Sequence, residues 1–312
     1  HGNANGLSHQ VLHAKKMKEE GKSFKPIFGT EAYFIPSISE WREEYERALA
    51  DKKRAKTLGS ELSGATVEDE NSSKKIQSVL RRRRHLILLA QNQVGLQNIF
   101  KLISESYKSE NFYRYPRMDY DLLAKYSEGV IAASACLGGV YSGNYWENRE
   151  AGDEAVLEAM RETTRKMMSI FGDRWYGELQ WNNVPEQHAI NKFIIQMHKE
   201  FGIKLISTAD SHYPSKDAWK DRELYRRLGW LGKAAPSYDS TELPVDVDEI
   251  GYELYPKNGD QMWESYKTYS DMVGMSYDDD LVADSITRTH NIAHKRIEKF
   301  TPDTTVRLPN FV

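Results

Sequence analysis

The chain has 312 residues, 39% of them hydrophobic, and a formal net charge of −3. That size allows one large domain, or one domain with a helical extension. The mild acidity excludes a binder that holds nucleic acid mainly by overall charge, so any such contact is local or comes from other domains.

A single cysteine, Cys136, rules out an internal disulfide framework and fits a reducing cytoplasm. No apolar run is long enough to cross a bilayer, and the start does not read as a secretory leader. The first residue is His rather than Met, which reads as a processed product or an excised piece of something longer.

In chain order, residues 4–22 have the spacing of an amphipathic helix ending at Gly21, with Leu7, Val11, Leu12 and Met17 along one face. His9 and His13 lie one turn apart on it, a spacing that can bind zinc. No third ligand stands nearby, and they read as solvated helix residues. A strand follows at 25–35, in which the run KPIFGT leads to Glu31. Residues 40–84 form a highly charged insert: a helix from Ser39 to Lys56, a polar segment from Leu58 to Ser73, and a basic helix ending at Arg81 to Arg84. The arginine run has the charge to touch a phosphate backbone. A solvated helix end that complements the helix dipole is the plainer reading.

From His85 onward strands and helices alternate. Strands are expected at Leu86 to Ala90, Val130 to Ser134, Trp175 to Gln180 and Ile203 to Thr208. Helices are expected at Gln93 to Glu105 (core face Leu96, Ile99, Phe100, Ile103), Tyr120 to Tyr126, Asp153 to Phe171 and Pro185 to Phe201. This rhythm implies parallel strands with right-handed crossovers, hence an α/β sheet or barrel. Beyond Lys216 the chain turns helical, at Asp217 to Leu231, Gly259 to Met272 and Leu281 to Ile297, with a polar linker from Ala234 to Asp248 and a short strand at Tyr252 to Tyr255. The run Asp278 to Asp280 invites a catalytic reading, but at a helix start it caps the helix and complements the dipole.

The most informative segment is KLISTADSHY, residues 204–213, a short strand that runs into Asp210-Ser211-His212. Period-2 geometry puts Asp210 and His212 on one side of the chain, where a carboxylate and an imidazole suit a divalent cation. The plain alternative is an Asp that caps the helix starting near Pro214. Companion residues favour the metal: His1, Glu31, His85 and Cys136. Glu31, Cys136, Asp210 and His212 sit just past a strand, where (β/α) barrels carry their chemistry. His85 precedes its strand, and pattern alone does not account for it.

The segments HGN, KPIFGTEAYF, HLILLAQNQVGLQNIFKLIS and GVIAASACLGG, with the long run from YGELQWNN to STADSHY, resemble in order the motifs of the PHP domain. They are most similar to the version at the front of the bacterial or bacteriophage C-family replicative polymerase, the DNA polymerase III alpha subunit. The likeness continues through SKDAWKDRELYRRLGWLGK to VRLPNFV, similar to the stretch leading into that family's palm.

The resemblance implies a distorted (β/α)7 barrel over residues 1–232, with its first strand missing, and a mainly helical extension over 233–312 leading toward the palm. It also implies a cluster of up to three divalent cations, Zn, Mn or Fe, held by His1, Glu31, His85, Cys136, Asp210 and His212. Glu31, Asp210 and His212 would be catalytic. Such a cluster suits phosphoester hydrolysis, because cations clamp non-bridging oxygens and acidify bound water. The thiolate biases the site away from Mg.

One departure stands out. The family's opening His-x-His motif is absent, so weak metal binding and little hydrolysis are expected of this chain alone, unless a separate polypeptide or splicing supplies the motif. A missing first strand would also leave a sheet edge unpaired.

The expected function is therefore a PHP portion of a replicative DNA polymerase, acting as a metal-dependent 3′–5′ proofreading exonuclease or as structural support. Its partners would be DNA through the full polymerase, the remaining polymerase domains, and replisome subunits such as the sliding clamp and proofreading subunit, in the cytoplasm. The alternatives are a free-standing phosphoesterase acting on a small phosphate monoester, which the helical tail argues against, and a silent scaffold.

Overall fold

The computed structural model describes residues 2–61, 76, 78–79, 81–222, 253–302 and 305. His1, most of the polar segment Leu58 to Ser73, the expected helix beyond Arg222, the linker from Ala234 to Asp248 and the expected domain boundary at 232–233 lie outside the described residues.

Among the described residues seven strands are formed: β1 (Gly29–Phe34), β2 (Arg84–Ala90), β3 (Phe112–Tyr113), β4 (Tyr115–Met118), β5 (Val130–Ala133), β6 (Trp175–Leu179) and β7 (Lys204–Ser207). Nine helices accompany them among the described residues: α1 (Asn5–Glu19), α2 (Ile38–Glu61), α3 (Gln93–Ser106), α4 (Tyr120–Lys125), α5 (Val140–Asn148), α6 (Asp153–Phe171), α7 (Pro185–Phe201), α8 (Gly259–Met272) and α9 (Asp279–Asn291). The chain separates into two compact units. One comprises 1–132, 166–174 and 297–312, the other 133–165 and 175–296. In the first unit the order is β3-β4-β1-β2, and in the second β6 lies beside β7.

In the first unit, β1 and β2 each alternate buried and half-exposed residues. Ala32 and Phe34 point to the core beside Leu86 and Leu88, while Glu31 and His85 share the half-exposed face. These two strands are antiparallel, with Tyr33 opposite His85 and Glu31 opposite Ile87. The parallel expectation concerned the strands from His85 onward and β6 and β7 meet it, while the sheet as a whole is mixed: β1 and β4 run parallel, and β3 and β4 form an antiparallel hairpin. Two site expectations change with it. Glu31 lies inside β1, not past its end, and His85 is the second residue of β2 rather than a residue before it. The start of an antiparallel strand lies at the same sheet end as the finish of its neighbour, which is why His85 belongs there.

The insert carries more packing than its charge suggests. Helix α2 extends past Lys56 to Glu61. Ile38, Trp41 and Ala48 form a buried cluster with Ile35, Ile76 and Val79, and the Trp41 indole donates to the Val79 carbonyl at 2.8 Å. The arginine run leaves its helix after Arg81: Arg82 pairs with Glu44 at 2.6 Å, and Arg84 is buried in β2. On α3, Leu102 takes the core place expected of Phe100, which is 41% exposed. On α1, Leu12 faces solvent rather than the core, and His9 and His13 are exposed as expected.

In the second unit, β6 and β7 are parallel and α7 connects them. Pro185 opens α7 in its first turn, and Gly202 closes it in the left-handed conformation (φ 69°). Helix α9 packs on β7, where the Arg288 guanidinium donates to the Leu205 carbonyl and the Ser207 and Ser285 hydroxyls lie 2.7 Å apart. Asp278 caps α9, its side chain accepting from the Asp280 and Leu281 amides, as expected for the acidic run. The expected strand near Tyr255 is not formed at residues 253–255, although the Leu254 carbonyl accepts from the His212 and Tyr213 amides. The last helix ends at Asn291 and continues as a π-helical turn, Ile292–Arg296.

Candidate metal centre

Glu31 projects from the middle of β1, and His85 from the start of β2. The two are offset by one pair of positions across the ladder, so both side chains stand on the same face. Glu31 Oε1 and His85 Nδ1 are 2.6 Å apart, and both side chains are mostly buried. Tyr33 borders the pair, its ring centroid 5.7 Å from that of His85. The Gly2 amide donates to the Glu31 carbonyl at 2.7 Å, and the Thr30 hydroxyl donates to the Asn3 carbonyl at 3.1 Å, so Gly2 and Asn3 are held beside β1.

Cys136 follows β5 in a tight turn. Its carbonyl accepts from the Gly139 amide and the Ser142 hydroxyl, each at 2.7 Å, and its Sγ accepts from the Gly138 amide at 3.4 Å. Gly139 is required here, because a Cβ would lie 2.1 Å from the Ser134 carbonyl oxygen. Within the first unit, the Glu31 carboxylate and the His85 imidazole, 2.6 Å apart on one sheet face, are a donor pair that can hold a divalent metal ion.

Asp210 and His212 stand past β7 as a second pair, with Asp210 Oδ2 3.5 Å from His212 Nε2. The regular extended geometry expected between them is interrupted, since Asp210 adopts φ 41°. The next helical turn, Lys216–Ala218, has Ser215 at its cap position rather than Asp210. His1 lies outside the described residues.

Sequence reasoning passed over Glu178. This β6 residue is 4% exposed, and its carboxylate accepts from the Ala135 amide and the Thr208 hydroxyl, each at 2.7 Å. A lone Glu inside a fully buried strand was the available signal, because charged side chains are seldom buried without partners.

A PHP domain family model matches residues 1–182, and the chain belongs to the PHP domain family. Its fold is accordingly the α/β, distorted (β/α)-barrel type of that family. The particular relatives it resembles are DNA polymerase III alpha subunits, matched in their N-terminal part. That of Aquifex aeolicus is 39% identical over 202 residues, 64% of this chain and 14% of the relative. That of Borreliella burgdorferi is 30% identical over 266 residues, 85% of this chain and 19% of the relative. That of Deinococcus radiodurans is 30% identical over 262 residues, 84% of this chain and 16% of the relative. The chain thus spans less than a fifth of each of these relatives. Among the described residues, no helix is long and apolar enough to cross a membrane.

Proposed function

We propose that this chain is the PHP portion of a replicative DNA polymerase III alpha subunit, and that it carries a metal-dependent phosphoesterase site acting on the 3′ end of DNA. The observation that supports this most is the Glu31–His85 contact at 2.6 Å, on a chain whose relatives are named as that subunit. The proposed ligand set is His1, Glu31, His85, Cys136, Asp210 and His212, and the proposed metal is Zn, Mn or Fe. When bound, such a cation supplies Lewis-acid polarisation of a phosphoryl oxygen and acidification of water.

The chain's own groups have separable tasks in this reading. Glu31 and Asp210 contribute negative charge that offsets the cation, and His85 and His212 contribute neutral nitrogen donors. The buried Cys136 thiol sets the preference for a softer metal. DNA reaches the site through the full polymerase. The other proposed partners are the remaining polymerase domains, the sliding clamp and the proofreading subunit, and the proposed location is the cytoplasm. The relatives' names favour this reading over a free-standing phosphatase for small phosphate monoesters.

The test is Asp210→Asn and His85→Ala in the full-length polymerase, assayed on a single-stranded oligonucleotide 3′ end, on histidinol phosphate, and for nucleotide addition. The reading expects loss of oligonucleotide hydrolysis with nucleotide addition largely kept. Preference for histidinol phosphate, or equal loss of both polymerase-associated activities, would overturn it.

A further inference from the structure

We propose that Glu178 is a positioning residue that fixes both the Cys136 turn and the Asp210-His212 loop through a single buried carboxylate. The inference rests on the reading of those residues as metal ligands, and it adds a residue that coordinates nothing itself.

The geometry is specific. Glu178 Oε1 accepts from the Ala135 amide, the residue immediately before Cys136, and Oε2 accepts from the Thr208 hydroxyl, two residues before Asp210, each at 2.7 Å. The Glu178 amide in turn donates to the Ser134 hydroxyl at 2.8 Å, and the Gln180 side-chain amide donates to the Thr208 hydroxyl at 3.2 Å. One carboxylate therefore uses each oxygen on a different loop.

The backbone explains why such a tie is useful. Ala135 (φ 61°) and Asp210 (φ 41°) both occupy the left-handed region without being glycine. Each such residue is strained and persists only where its surroundings over-determine it. The Ala135 amide is held by a charged acceptor in a dry site, where hydrogen bonds to ionised groups are strongest. Removing the carboxylate releases that amide and the Thr208 hydroxyl together.

Glutamine is the discriminating substitution. Its carbonyl oxygen can accept from the Ala135 amide and its NH2 can donate to the Thr208 hydroxyl, so the shape is kept while the charge that strengthens both bonds is lost. Thr208→Val, a similar shape without the hydroxyl, removes only the tie to the Asp210 side.

The experiment compares the 312-residue chain with Glu178→Gln, Glu178→Ala and Thr208→Val. It measures Co(II) affinity, the Co(II)–thiolate absorption band, far-UV circular dichroism, and the iodoacetamide reaction rate of Cys136, the sole cysteine, without metal. We expect Glu178→Gln to keep its circular dichroism and lose about 10- to 100-fold in Co(II) affinity, the range typical of outer-sphere partners of metal ligands. Its thiolate band should weaken. Cys136 should be alkylated about tenfold faster, as expected when a local hydrogen bond to a charged group is lost.

Unchanged affinity, band and alkylation rate in the folded variants would overturn the proposal. Should Glu178→Gln unfold, Thr208→Val decides: the proposal requires its Co(II) affinity to fall, and no change would refute it. Should the parent chain bind no Co(II), the proposed function fails by itself. Glu178 is then judged on alkylation: faster reaction in the folded variants supports it, and an unchanged rate overturns it.

Discussion

Glu31 and His85 meet at 2.6 Å although they sit two positions out of register, diagonal to one another across the antiparallel pair β1–β2. The contact depends on strand direction. In a parallel pairing with the strand starts aligned, His85 would lie beside Thr30, one position from Glu31, and that odd offset would put the two side chains on opposite faces of the sheet. Glu31→Gln keeps the shape and removes the charge. We expect it to lower zinc content, measured by inductively coupled plasma mass spectrometry, with affinity falling by more than about tenfold, since even outer-sphere partners cost that much. Retention of full zinc content would remove Glu31 from the ligand set.

Asp278 offers a control. Its side chain accepts from the Asp280 and Leu281 amides at the start of α9. Asp278→Ala should destabilise the fold by about 1 kcal/mol, the usual value of an N-cap, and leave metal content unchanged. Urea unfolding with metal analysis checks both halves. A drop in metal content with unaltered stability would restore the catalytic reading of the acidic run.

His188 gives a pH dependence. It is fully buried, with Nδ1 2.7 Å from the Tyr277 hydroxyl and Nε2 2.9 Å from the Asn182 carbonyl oxygen. A carbonyl only accepts, so Nε2 carries the proton and Nδ1 accepts from Tyr277. Burial pushes the imidazole below its ordinary value of 6.5. The unfolded chain therefore binds this proton more readily than the folded one. The stabilisation is fully present above about pH 6.5 and is lost as pH falls through the depressed folded value. The thermal midpoint should drop between pH 7.5 and 5.5, and the drop should shrink in His188→Gln. An identical pH slope in the variant would contradict this assignment.

Arg117 is a buried cation that locks the hairpin. Its guanidinium donates to the Arg82, Tyr113 and Tyr115 carbonyls and stacks 4.3 Å from the Trp41 ring. Burial lowers its pKa to about 10, so it stays charged at neutral pH. Arg117→Ala should cost about 3 kcal/mol or more in urea unfolding, because it strips three charge-assisted bonds from part-buried carbonyls and empties a buried site beside Trp41. Arg117→Lys should recover only part of it, since a single ammonium lacks the planar fork. A loss under about 1 kcal/mol for the alanine variant would show that water replaces those bonds without difficulty.

Helices were the most legible elements. Asp153–Phe171, Pro185–Phe201 and Gly259–Met272 follow the sequence reading residue for residue, because caps, proline placement and 3.6-residue spacing are local signals. Strand direction is not local. An apolar run such as Leu86 to Ala90 reads the same either way, and only the antiparallel pairing of β2 with β1 accounts for His85. The hairpin of Phe112–Tyr113 and Tyr115–Met118 escaped notice because two- and four-residue strands carry little alternation. Phe100 was assigned to the core by spacing, yet Leu102 fills it, since a helix face admits more than one apolar residue per turn. For the site, residue types were readable and their partners were not. Glu31, His85 and Cys136 were named from motif order, while Glu178 emerges only when β6 sets it beside Ala135 and Thr208.

The central claim is that Glu31, His85 and Cys136 share one cation. Anomalous X-ray scattering at the zinc edge, from crystals of zinc-replete protein, tests it most directly. The account predicts a peak about 2.0–2.3 Å from a Glu31 carboxylate oxygen, a His85 ring nitrogen and Cys136 Sγ. Zinc bound only elsewhere, with these three side chains coordinating nothing, would contradict it.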